Sequence, residues 1–115
     1  MTFILTARHF KAHDSLKAFA EAETQKIKKI FDGIIRTEVI LSYDKPTNSV
    51  KNAEIIVHAK NHQTFKSLES TDDFHKSIEA AMNKIQVQLR KFKDKITDHS
   101  SDKAIRYLEI NEELN

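Results

Sequence analysis

The chain has 115 residues, enough for one compact domain, and 39% of them are hydrophobic, which suffices for a two-layer core if they share one face of each element. The absence of cysteine excludes disulfides and thiolate metal sites and accords with a reducing compartment. The net charge of +2 says little about binding partners. Residues 1–10 show no signal peptide, and no apolar run approaches the ~18 residues of a membrane span, so we expect a soluble cytoplasmic protein without membrane contact.

The first third of the chain predicts a strand followed by a helix. Residues 3–9 are short, largely apolar and β-prone, and Asp14 or Ser15 offers an N-cap for a helix that runs to about Asp32. The apolar residues of this helix recur at helical spacing: Leu16, Phe19, Ala20, Ile27, Ile30 and Phe31. Gly33 follows at the position that favours a left-handed helix terminator.

The middle of the chain predicts three consecutive strands. Residues 37–43 alternate between apolar and polar side chains, and a turn signal at residues 45–48 leads to a second alternating run at 53–60. Residues 61–63 form a tight reversal into a strand at 64–69, although a helix could also claim part of that last segment.

A long amphipathic helix follows, and residues 70–73 (Ser-Thr-Asp-Asp) supply capping oxygens and negative charge at its start. Its apolar residues recur in steps of three and four: Phe74, Ile78, Met82, Ile85, Leu89, Phe92 and Ile96. The order βαβββα predicts an α+β domain at residues 1–98, with two helices on one face of a four-stranded mixed or antiparallel sheet. Residues 99–115 carry two cations and four carboxylates, so we expect a flexible acidic C-terminal tail.

Basic side chains border the apolar stripe of the second predicted helix on both sides. At ~100° per residue, one border carries Lys84, Gln88, Lys91 and Lys95, and the other carries Arg90 and Lys93. Such a helix can contact phosphates on both walls of an RNA groove and read the shape of the backbone rather than the sequence. Long cations that only keep a core helix soluble explain the same pattern equally well.

Patterns for catalysis and for metal binding are weak. A single glycine excludes Gly-rich phosphate loops and nucleophile elbows, and none of the six histidines forms an HExxH motif. His9, His58 and His62 fall on or beside strands, so a metal cluster there is conceivable. Asp72 and Asp73 are explained better as helix caps than as an acidic pair. We therefore expect no enzyme, catalytic residue, metal, cofactor or small-molecule substrate.

Residues 73–95 resemble the second helix of the ribosome hibernation-promoting factor family, which includes ribosome-associated inhibitor protein Y. The residues that fit the family pattern are Asp73, Phe74, Ser77, Ile78, Glu79, Lys84, Ile85, Gln88, Leu89, Lys91, Lys93 and Lys95. The first helix also looks like that of the family, because residues 26–32 match its K-[LI]-x-K-x-F-D ending. The resemblance covers residues 1–98. This chain departs from the family at Glu23 (often basic), His75 (usually Tyr) and Val87 (often Arg).

The resemblance implies a fold similar to double-stranded-RNA-binding domains and a translation inhibitor that binds the small ribosomal subunit in the mRNA and tRNA channel, in stress or stationary phase. It implies that ribosomal RNA contacts Lys84, Gln88, Arg90, Lys91, Lys93 and Lys95, with Lys26 and Lys29 of the first helix as weaker candidates. The tail resembles the acidic extension of protein Y, so it could lie along the messenger path and disfavour ribosome pairing, although a tail without a role fits equally well.

A different class of function also fits the sequence. In a protein-interaction module that regulates the transcription machinery, the same helix border would meet an acidic protein instead of RNA.

Overall fold

In the computed structural model, residues 1–43 and 50–101 are described, with side chains up to Lys95. The elements follow the order βαβββα, with a short 3-10 turn at Lys60–His62 between the last two strands. They are β1 (Thr2–Ala7), α1 (Asp14–Ile30), β2 (Ile34–Tyr43), β3 (Lys51–Ala59), β4 (Gln63–Thr71) and α2 (Phe74–Ser101). The predicted α+β class is confirmed, while the predicted turn at residues 45–48 lies outside the described residues.

The four strands form one mixed sheet in the order β1-β2-β3-β4. β1 pairs with β2 in parallel, which requires the α1 crossover, whereas β2, β3 and β4 pair antiparallel. Because side chains alternate along each strand, the sheet has one buried face and one partly exposed face. The fully buried side chains in the central strands are Val39, Leu41, Ile55 and Val57, and the residues next to them in sequence are partly exposed. All four strands are confirmed, and their observed bounds differ from the predicted ones by at most three residues.

Both helices pack on one face of this sheet and lie side by side in the same direction. The ring centroids of Phe19 and His75 are 4.8 Å apart near the N-terminal ends of the helices, and those of Phe31 and Phe92 are 5.6 Å apart near residue 30 of α1. The core side of α2 matches the predicted stripe. Its fully buried hydrophobic residues are Ile78, Ala81, Met82, Ile85 and Leu89.

Two details predicted for the ends of α1 are wrong, namely its N-cap residue and the left-handed glycine after it. The N-cap residue is His13, which makes no side-chain capping bond, and Asp14 lies in the first turn. The helix ends at Ile30 because Phe31 is already extended, with φ −143° and ψ 118°. Gly33 is not left-handed. A Cβ there would lie 2.8 Å from Cζ of Phe31, so glycine provides room for that ring instead of terminating the helix.

Two further boundaries differ from the prediction. β1 ends at Ala7, because His9 adopts the left-handed conformation (φ 68°) and its carbonyl accepts a hydrogen bond from the Tyr43 hydroxyl at 3.1 Å. α2 begins after Asp73, whose carboxylate accepts the Lys76 N–H at 3.3 Å, which confirms the expected cap. The helix continues to Ser101, and the rest of the predicted tail, residues 102–115, lies outside the described residues. In the described part of the chain, no helix is long and apolar enough to span a bilayer.

Candidate nucleic-acid interface

One border of α2 lies along the free edge of β4, and three polar contacts join the two elements. Lys84 forms an ion pair with Glu69, and the Gln88 side-chain amide donates to the Lys66 carbonyl at 2.8 Å. Between the helix and the strand, the Ser67 hydroxyl donates to the Ala81 carbonyl at 2.8 Å in a buried bond. Lys84 and Gln88 therefore already have partners within the chain, which the sequence pattern of α2 alone did not indicate.

Glu69 is a neighbour of the candidate residue Lys84 that sequence reasoning missed. Its position in β4 opposite Ala53 of β3 directs its side chain towards the helix layer, where Lys84 lies. The side chain of Lys84 is 63% exposed and that of Glu69 is 23% exposed, so solvent reaches the pair and Lys84 can exchange partners.

The other border of α2 faces α1, and the departure at Glu23 is explained there. Glu23 has a buried carboxylate, which the exposed Lys26 neutralises at 2.8 Å. The hydrogen bond from Lys26 to Glu23 raises the pKa of Lys26, and the negative charges of Glu23 and Glu79 raise it further. Lys26 is thus held beside two carboxylates, whereas Lys29, one turn later, forms no ion pair with another described residue, and both side chains are exposed. Of the two first-helix candidates, Lys29 has the more open surroundings.

The cations in the C-terminal part of α2 differ from Lys84 and Lys26 in their surroundings. Among the residues that the structure describes, Arg90, Lys91 and Lys93 form no ion pair, and all three are exposed. Earlier in the helix, Lys76 is held by Asp72 at 3.4 Å, as Lys84 is by Glu69. Lys95 is also exposed. The open positive surface of α2 is therefore centred on residues 90–93, on both sides of Phe92.

The histidines that suggested a metal cluster are distributed over two ends of the sheet. His9 follows the end of β1 that pairs with Leu41, while His58 pairs with Arg36 at the far end of β2. His58 Nε2 lies 3.1 Å from a Glu38 oxygen that also pairs with Arg36. Within residues 1–43 and 50–95, no three His, Asp or Glu side chains are grouped as metal ligands.

Comparison with known proteins gives a consistent family. A family model described as "Sigma 54 modulation protein / S30EA ribosomal protein" matches residues 3–97. The ribosome hibernation promoting factor of Escherichia coli K12 is 26% identical over 99 residues, which is 86% of this chain and 100% of that protein. The ribosome hibernation promotion factor of Staphylococcus aureus COL is 26% identical over 91 residues, which is 79% of this chain and 47% of that longer protein.

Solved structures support the fold. A ribosomal subunit interface protein from Coxiella burnetii superposes with a TM-score of 0.73 at 22% identity, covering 82% of this chain and 99% of that chain. The protein Y N-terminal domain from Thermus thermophilus superposes with a TM-score of 0.69 at 22% identity, covering 80% and 99%. Because the family model spans most of the described domain, the chain belongs to the Sigma 54 modulation protein / S30EA ribosomal protein family.

Proposed function

We propose that the protein is a ribosome-associated translation inhibitor that binds ribosomal RNA of the small subunit in the mRNA and tRNA channel. It inactivates ribosomes in stress or stationary phase by occupying that channel, which requires no catalysis. The observation that carries this proposal is the group of exposed cations Arg90, Lys91 and Lys93 on α2, which form no ion pair with another described residue, in a chain whose relatives are named hibernation factors.

The arrangement suits reversible binding to a folded RNA. The buried stripe of α2 fixes the helix on the sheet, so its cations are presented from a rigid scaffold. Each phosphate that a cation neutralises releases counterions, and the free energy of binding therefore depends mainly on electrostatics and on salt. Contacts of this kind recognise the shape of the RNA backbone, as expected for a site that does not read sequence.

A paired charge reversal tests the site. We expect Lys91→Glu with Lys93→Glu to abolish pelleting with ribosomes at about 100 mM salt, since four units of charge change where phosphates would bind. The matched control is Lys11→Glu with Lys17→Glu, which makes the same charge change at exposed positions before and at the start of α1. Circular dichroism and thermal unfolding check that both variants keep the fold. Equal pelleting of the two double variants would exclude this surface as the binding site.

The location on the ribosome needs a separate measurement. The wild-type protein should pellet with purified small subunits, and an excess of mRNA with tRNA should displace it because the sites overlap. Pelleting with large subunits alone, or binding that an excess of mRNA and tRNA leaves unchanged, would contradict the proposed binding site in the channel.

A second function has some support, because the family description includes modulation of sigma 54. In that case the cations of α2 would bind an acidic protein surface of the transcription machinery. Capture from a nuclease-treated, ribosome-free lysate separates the two functions. Retention of an RNA polymerase component there, with no binding to purified ribosomes, would favour the transcription role.

A further inference from the structure

The β3–β4 turn lies at the same end of the molecule as the open cations of α2. The Lys60 N–H donates to the Gly33 carbonyl at 2.9 Å, which fixes the turn against the connection between α1 and β2. Phe92 of α2 contacts Phe31, two residues before Gly33, and also Phe65, three residues after the turn, with centroid distances of 5.6 and 5.4 Å. The turn, the end of α1 and residues 90–93 therefore converge around Phe92.

All three segments carry cations, which we group under the name basic end. Its members are Lys28, Lys29, Lys60, Arg90, Lys91 and Lys93, all exposed. No ion pair between described residues includes any of the six, and the carboxylates that lie among them in the sequence are Asp32 and Asp94. Lys28 and Lys29 are in the last turn of α1, where cations also offset the helix dipole. Lys60 is in a turn and has no such local reason.

The conformation and exposure of the turn residues are a separate observation that favours a contact with RNA. Asn61 (φ 62°, ψ 33°) and His62 (φ 63°) are both left-handed, a backbone region that glycine adopts without the steric cost of a Cβ. Asparagine and histidine adopt this region more often than most non-glycine residues, which accounts in part for their presence, and both side chains are exposed and available for contact. An open depression of about 480 Å³ adjoins them on the face of the sheet opposite the helices, lined in part by Ile35 and His58, and offers room for an unstacked base beyond the turn.

Building on the proposed function, we infer that the turn Lys60–His62 is a second RNA contact, continuous with the α2 cations through the basic end. Lys60 binds a phosphate as a point charge, and the Asn61 amide and His62 ring donate hydrogen bonds to a neighbouring phosphate or base edge. The RNA then contacts two separate elements, which fixes the orientation of the domain more firmly than one helix can.

A single charge reversal with a matched control tests the turn. Dissociation constants are measured at several salt concentrations for small subunits and for an RNA duplex of about 16 base pairs. We expect Lys60→Glu to weaken binding about 5- to 10-fold and to reduce the magnitude of the salt slope by about one. Lys17→Glu, the same charge change in the first turn of α1, should stay within about twofold of wild type.

A second variant separates binding from folding. Asn61→Gly with His62→Gly removes both side chains and relieves the left-handed strain, while the added flexibility of the unfolded chain offsets that gain, so the midpoint of urea unfolding should change little while RNA affinity falls. A purely structural turn would leave affinity unchanged in this variant.

The outcomes distinguish the inference from the proposed function. If Lys60→Glu binds like Lys17→Glu while the Lys91 and Lys93 variant loses binding, the turn is not a contact and the function stands. If the wild type binds the duplex and not small subunits, the proposed function fails and the duplex measurements decide the turn. Binding to neither RNA overturns both.

Discussion

Single residues beside the β4 border of α2 determine which of its cations are paired within the chain. Glu69 holds the Lys84 ammonium in an ion pair, so it would compete with a phosphate for that cation in the proposed RNA complex. Because the pair is solvent-accessible, it contributes only about 0–1 kcal/mol to the free energy of unfolding. Its larger effect should be on binding.

Replacing that competitor gives a direct prediction. Glu69→Gln should tighten binding to small subunits about 2- to 5-fold at low salt, because Lys84 then adds one phosphate contact. Glu54→Gln is the matched control, since it removes the same charge from the sheet face opposite the helices. The measurement is a salt titration of the dissociation constant. Weaker binding of Glu69→Gln would show instead that Glu69 positions Lys84 for RNA.

At the scale of elements, periodicity predicted which helices and strands form better than it predicted where they end. The buried stripe from Ile78 to Leu89 and the alternating strands follow from a local repeat, so all six elements could be recognised from the sequence. The ends depend on tertiary contacts that no local pattern contains. Glycine at position 33 indicated a left-handed terminator, but the packing of the Phe31 ring is what requires it.

The same distinction applies to the candidate site. The cations of α2 could be placed on two borders by helical periodicity alone. Their partners could not, because Glu69 comes beside Lys84 only through the pairing of β4 with β3 and the packing of α2. Lys60 escaped notice since a cation in a turn has no repeat to mark it, and only the contacts around Phe92 bring it to the α2 surface.

The close approach of Gly33 to Phe31, in the connection between α1 and β2, can be tested by mutation. In Gly33→Ala, the new Cβ would lie 2.8 and 2.9 Å from two Phe31 ring carbons, so the ring must shift and disturb its edge contact with Phe92. We expect the free energy of unfolding to fall by about 1–3 kcal/mol in urea titrations. A gain of about 0.4–1 kcal/mol, the usual result of Gly→Ala in an ordinary backbone conformation, would contradict the steric explanation.

For the molecule as a whole, the fold and the proposed RNA surface depend on different residues and on different forces. The core joins the sheet to one face of each helix, while the basic end carries exposed charges that the core does not need. Salt should therefore act strongly on binding and weakly on folding. This separation distinguishes an electrostatic RNA-binding module from one that docks through apolar surface.

This separation can be tested by measuring how salt changes the binding affinity and the stability of the same protein sample. If four to six cations of the basic end neutralise phosphates, the affinity for small subunits should fall about 10²- to 10³-fold between 50 and 200 mM salt. The urea midpoint over the same range should change little, because the ion pairs of the described residues are partly or largely exposed. A nearly flat binding curve would mean that apolar contacts dominate the complex, and the exposed Leu68 and Ile35 of the sheet would then become the surface to mutate.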